Sequence, residues 1–195
     1  MYPDQLTVRF QGNTVTMTGA FTAENFIAFL HDIDPTISYS IIPLSGGLIN
    51  STVRAVKKPG SPQGSGSFPN EQSIILKHVP PFVASIGEKA PFSVYRQVVE
   101  ARALEILAKA PAIQEAQREC QVFVPSVLYR DDIRHDLVIT DLGDDLYTID
   151  RWFDYNQTNT VQEVASIGRR LGIFLAKLHT PLYLNQPFKA WKTLK

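Results

Sequence analysis

Cysteine is almost missing from this chain: Cys120 is the single one in 195 residues. An internal disulfide framework is therefore excluded, and a lone thiol fits a reducing cytosol. No apolar run approaches the roughly 20 residues needed to span a bilayer. The opening Met1-Tyr2-Pro3-Asp4 has neither a basic n-region nor an apolar h-region, so no secretory signal is expected. A surplus of one charge is missing as well, since 19 Lys+Arg balance 19 Asp+Glu. That balance removes the electrostatic reason to expect a nucleic-acid or acidic-membrane partner. The four histidines, His31, His78, His135 and His179, lack ligand spacing and neighbouring cysteines, which argues against zinc. No internal repeat is visible. The chain reads as a cytoplasmic protein with enough length for one full core, or for a small lobe and part of a second.

Against that background one stretch is out of place. Ser73-Ile74-Ile75-Leu76-Lys77-His78-Val79 is a β-branched apolar run with a lysine inside it, and an ammonium group there calls for an anion. Alternation predicts Ile75, Lys77 and Val79 on one face and Ile74, Leu76 and His78 on the other. Lys77 reads equally as a ligand for phosphates or as an edge-strand lysine that snorkels to water. Upstream, residues 39–44 and 51–56 read as strands on either side of the turn Ser45-Gly46-Gly47-Leu48-Ile49-Asn50. Glycines let the backbone approach a ligand, and successive N–H groups in such a turn can cradle a phosphate. A glycine pair is also what any hairpin needs.

Downstream, Pro91 opens a predicted helix over 92–110. Its spacing puts Tyr95, Val98, Val99, Ala103, Ile106 and Leu107 on one broad apolar face. Glu105 and Lys109 form a solvated pair on the opposite side. Glu100 falls on the shoulder of the apolar face, where a carboxylate needs a partner. Lys77 is one candidate; Arg96, one turn back, is the other.

The remaining segments frame this core. Residues 6–17 read as a hairpin, and a short helix starting at Thr22 ends at Asp34-Pro35; together they form an N-terminal extension. Residues 58–72, rich in Gly, Ser and Pro, read as a flexible loop. Pro111 closes the long helix, a polar connection with room for another turn of helix follows over 114–121, and 122–130 and 136–143 read as strands. Asp131-Asp132 and Asp144-Asp145 fit turn chemistry better than metal ligation. Helices are expected over 146–155 and 161–178, the second with Thr160 and Glu163 as a capping box. Its buried stripe is expected to be Val164, Ile167, Leu171, Phe174, Leu175 and Leu178.

In this order the segments resemble the amino-terminal lobe of the protein-kinase-like small-molecule kinases, which include aminoglycoside phosphotransferases and choline kinases, and most closely the methylthioribose kinases. Residues 42–50 resemble the glycine loop of that family, with Ser45 and Ile49 departing from its pattern. Residues 73–77, followed by Val79-Pro80-Pro81-Phe82-Val83, resemble its lysine strand. Ile86-Gly87-Glu88-Lys89-Ala90-Pro91-Phe92, then Arg96 and Glu100, resemble its Gly-Glu-x-x-Pro segment and the helix after it. Residues 124–127 and 138–142 fit the strand pair ending at the adenine hinge, and 167–177 fit the first long helix of the second lobe.

The resemblance implies an α+β fold: a protein-kinase-like lobe with an antiparallel sheet and one central helix, then the first helices of a helical lobe. It places an extension at 1–38, a nucleotide-binding lobe at 39–143 and the start of the helical lobe at 144–195. It implies ATP and Mg²⁺ as cofactors and a small-molecule alcohol or sugar as acceptor, and it leaves a homodimer open. Lys77 would hold the α- and β-phosphates and pair with Glu100. Ser45, Gly46, Gly47 and Asn50 would close over the phosphates, and Asp141 and Leu142 would border the adenine. The family also needs a His-Gly-Asp-type catalytic loop and a later acidic Mg²⁺ ligand. Neither occurs before Lys195, so the resemblance places the catalytic aspartate and the Mg²⁺ ligands beyond this sequence. Two functional expectations follow: the nucleotide-binding part of an ATP-dependent kinase, or a catalytically inactive module that binds nucleotide or a partner. An α+β domain with a coincidental set of motifs is the third and plainest.

Overall fold

The computed structural model describes residues 6–10, 13–17, 21–44, 47–61, 64–144, 146, 148–155 and 160–179. Strands β1 (Leu6–Phe10) and β2 (Asn13–Met17) pair antiparallel as a separate hairpin. Helix α1 (Ala23–Ile33) follows, then β3 (Tyr39–Pro43), β4 (Ser51–Lys57) and β5 (Ser73–His78). A small ribbon, β6 (Phe82–Val83) with β7 (Gly87–Pro91), precedes helices α2 (Tyr95–Lys109) and α3 (Pro111–Cys120). Strands β8 (Val127–Asp131) and β9 (Asp136–Thr140) complete a five-stranded antiparallel sheet in the order β3-β4-β5-β9-β8. Helices α4 (Ile149–Tyr155) and α5 (Val161–His179) come last. The fold is α+β.

The chain forms two compact units, one of residues 1–105 with 125–142 and one of 106–124 with 143–195. In the first unit the sheet is covered on both faces. Thr22 and Asn25 close a reciprocal cap at the start of α1, each side chain accepting the other's backbone N–H. The i, i+3, i+4 residues Phe26, Phe29 and Leu30 then go into the core against Val53, Ala55, Ile74, Leu76 and Val138. Packed on the main sheet, α1 supplies much of that core, each aromatic or leucine side chain adding about 1.5–3 kcal/mol by burial. On the opposite face Ile75, Leu137 and Ile139 meet Ala101 and Leu104 of α2. The alternation expected along β5 is thus the one found.

The loop over 58–72 joins β4 to β5, and its residues 64–72 are anchored to the α1 core. Phe68 is buried in the α1 core, and Lys57 Nζ donates to its carbonyl at 2.7 Å. Ser67 N–H donates to Asp34 Oδ1 at 2.9 Å. Gly66 has φ +83°, and a Cβ there would meet Asp34 Oδ1 at 2.6 Å. One aromatic anchor outweighs a permissive composition. Pro62 and Gln63 lie outside the described residues.

The face of α2 also differs. Gln97 and Ala101 are the buried residues, whereas Tyr95, Val99 and Ile106 are about half exposed. Apolar side chains occur all round this helix, so periodicity selected nearly the opposite side. Pro111 ends α2 and also begins α3 at its first turn, where its missing N–H costs nothing. Asp131 does serve its turn, accepting from the N–H groups of Ile133 and Arg134 at 2.9 Å each. Asp145 lies outside the described residues.

In the second unit α3 packs on α5 through Ile113, Ala116, Cys120 and Phe174, with Leu178 at the margin. Arg170 Nε and Nη2 donate to the carbonyls of Cys120 and Gln121 at 2.7 Å each, a cation at the carbonyl end of α3. Thr160 and Glu163 form the expected capping box. Of the expected stripe only Phe174 is fully buried; Val164, Leu171 and Leu175 are exposed, because α3 covers one edge of the helix. No helix among the described residues is long and apolar enough to cross a membrane.

Candidate functional site

The site is assembled on the α2 face of the sheet. Cross-strand register sets Thr52, Lys77 and Leu137 side by side on β4, β5 and β9, and residues directly opposite share a face. Lys77 therefore emerges toward α2 next to Ile75, whose side chain packs against the Ala101 cluster. Glu100 precedes the fully buried Ala101 in α2, so the packing of that alanine brings its carboxylate over β5. Lys77 Nζ donates to Glu100 Oε1. The lysine side chain is 22% exposed and the glutamate 33%, so the pair is sheltered but reached by water. Of the two partners open to Glu100 in the sequence, the structure selects Lys77.

Arg96 goes elsewhere. Its Nε donates to Asn50 Oδ1 at 3.1 Å, which places Asn50 at the end of the glycine turn and in contact with α2. Gly47 has no positive φ, and a Cβ there would sit 3.4 Å from the Asn50 carbonyl, an ordinary contact. The fold itself makes no strong demand for glycine at 47. Ser45 and Gly46 lie outside the described residues.

Asp141 and Leu142 follow β9 on the same unit. The Asp141 carboxylate is taken up by the sheet: Arg54 Nε lies 2.6 Å from Oδ2 and Arg54 Nη2 donates to Oδ1 at 2.9 Å. Ser73 Oγ adds a bond to Oδ2 at 2.7 Å. Its side chain is only 4% exposed. Leu142 is open, at 47%. Sequence reading missed the Arg54–Asp141–Ser73 cluster, whose members are joined only by strand register, and gave Arg96 no role beyond competing for Glu100. No local signal in the sequence marks the cluster.

On the α1 face of β5, His78 Nδ1 lies 2.9 Å from Asp136 Oδ1, and the Phe21 ring stacks on the imidazole at 3.9 Å. The two faces of one strand thus carry two separate polar pairs. Among the described residues no group of three His, Cys, Asp or Glu side chains could hold a metal ion. No protein-family model matches the chain, and no curated protein matches it.

Proposed function

We propose that this chain is the nucleotide-binding part of an ATP-dependent small-molecule kinase of the methylthioribose-kinase type. The observation that carries the reading is the Lys77–Glu100 pair, a strand cation and a helix carboxylate meeting beside the end of a glycine turn. A lysine committed to one carboxylate oxygen keeps N–H donors for a second anion. Polyphosphate is suited to it, because the pair is only part exposed and a charge-assisted bond there is stronger than one in open water.

In this reading Glu100 orients the Lys77 ammonium, and Lys77 holds the α- and β-phosphates. The end of the turn, residues 47–50, lies nearest the phosphate tail. The acceptor hydroxyl attacks the γ-phosphorus in line as the phosphorus bond to the β,γ-bridging oxygen breaks, ADP leaves, and the hydroxyl proton passes to a carboxylate base. Leu142, open to solvent, offers the apolar contact for the adenine. Asp141 borders it through its main chain, since its carboxylate is held by Arg54 and Ser73. Leu137, opposite Lys77, is four residues short of Asp141, about 13 Å along an extended chain. That is the scale of a nucleotide laid between hinge and lysine. Among the described residues no group of three His, Cys, Asp or Glu side chains could hold Mg²⁺.

Titrating the purified chain with ATP, by calorimetry, tests the reading. Lys77→Ala removes a charge-assisted bond, about 1.5–3 kcal/mol, so affinity is expected to fall about 10- to 100-fold. The ion pair is part exposed, so the same change should cost the fold no more than about 1 kcal/mol. Equal ATP affinity for wild type and variant, or no binding by wild type, defeats the proposal.

A further inference from the structure

Arg96 sits one helical turn ahead of Glu100, and its guanidinium is directed to neutral oxygens. Besides the bond from Nε to Asn50, Nη1 donates to the carbonyls of Phe92 at 3.0 Å and Ser93 at 2.6 Å. Nη2 donates to Pro80 at 2.9 Å and, more weakly, to Ile49 and Phe82 at 3.4 Å each. The guanidinium carbon lies 4.6 Å from the centre of the Phe92 ring. These acceptors belong to three separate pieces of chain: the end of the glycine turn, the exit of β5 and the approach to α2. An arginine four residues before a glutamate on a helix would ordinarily discharge onto it. Here Glu100 is given to Lys77 and, among the described residues, no carboxylate pairs with Arg96. Its partial burial draws its pKa down, yet a guanidinium stays charged at neutral pH.

We infer that Arg96 is a positioning residue that fastens Ile49–Asn50 to the helix carrying Glu100, so that this end of the turn and the Lys77–Glu100 pair meet a polyphosphate as one rigid surface. This rests on the nucleotide reading above. The planar fork is what the position uses: five N–H donors in one plane reach acceptors on three chain segments, which a three-donor ammonium on a flexible stem cannot do together. The turn has other anchors. Ala84 N–H donates to the Ile49 carbonyl at 3.1 Å and Ser85 N–H to that of Leu48 at 3.0 Å. Losing Arg96 should therefore loosen the segment without unfolding the unit.

Arg96→Lys keeps the charge and removes the fork, and three measurements on it decide the matter. Melting should stay within a few degrees of wild type. Deuterium exchange of peptides covering 47–52, without nucleotide, should quicken about 10-fold, and ATP affinity should fall about 5- to 10-fold. Exchange and affinity both equal to wild type overturn the inference, as does faster exchange with unchanged affinity. A chain that fails to fold with the substitution overturns it too, since Arg96 would then serve the fold as a whole. A wild-type chain that does not bind ATP removes the nucleotide reading itself, and with it any polyphosphate for the turn to meet. A variant matching a wild type that does bind removes only the role of Arg96.

Discussion

At the scale of single residues, two buried or sheltered acids show how much depends on the donor beside them. Glu100 flanks the Gln97–Ala101 side of α2 that is buried, not the side that spacing selects, and Lys77 meets its need for a partner. Asp34 is 1% exposed and was read only as the end of a helix. It proves to be the acceptor for Tyr39 Oη at 2.7 Å and for Ser67 N–H, a cluster invisible in sequence because it joins α1, β3 and a loop 33 residues away. Burial first, and the Asp34 carboxylate second, push the Tyr39 phenol well above its ordinary value. Unfolded Tyr39 therefore loses its proton near pH 10 while the folded form keeps it. Its contribution to stability is complete below about pH 10 and is lost as pH rises toward the folded value. Tyr39→Phe should cost about 1–3 kcal/mol at about pH 8, because it leaves a buried carboxylate oxygen without its donor. The deficit should shrink as pH climbs past about 10. Urea midpoints of the two chains at about pH 8 and about pH 11 check this; a deficit that is the same at both would contradict it.

At the scale of elements, the alternation along β5 and the cap of α5 were readable. The start of α2 was not, since Pro91 ends β7 and the helix begins at Tyr95, and the faces of helices were less readable still. A cap depends on two residues three apart, so Thr160 with Glu163 carries its own evidence, whereas the Asn25 partner of Thr22 emerges only in the structure. The face of α2 depends on what the sheet offers. Ile75, Leu137 and Ile139 leave room for an alanine, and α2, whose apolar residues are spread round the helix without one clear face, turns Ala101 inward, with Glu100 beside it reaching Lys77. Ala101→Leu should thus overpack the contact and cost about 1–3 kcal/mol, with ATP affinity falling alongside as Glu100 is displaced. Val99→Lys, on the exposed side, should change stability by less than about 0.5 kcal/mol. Chemical denaturation of both variants separates the observed face from the one periodicity suggests; a larger loss from Val99→Lys than from Ala101→Leu would restore the latter. The 58–72 loop teaches the same lesson in reverse, since Phe68 fixes a segment whose Gly, Ser and Pro content signals freedom.

At the scale of the whole molecule, the sheet order was the least legible feature. β9 lies between β5 and β8, two helices away from its partner β5 in sequence, and short apolar strands carry no label for whom they pair with. What could be read was the succession of glycine turn, lysine strand and glutamate helix, because each has a chemical oddity that local structure alone does not explain. The account stands on the Lys77 amine facing the phosphates of a nucleotide. An acyl-phosphate derivative of ATP, which transfers its acyl group to an amine touching the phosphates, reads this directly by peptide mass spectrometry. Modification concentrated on Lys77 and suppressed by excess ATP is the predicted result. Acylation spread over exposed lysines such as Lys58, with Lys77 unmodified and ATP without effect, would contradict it.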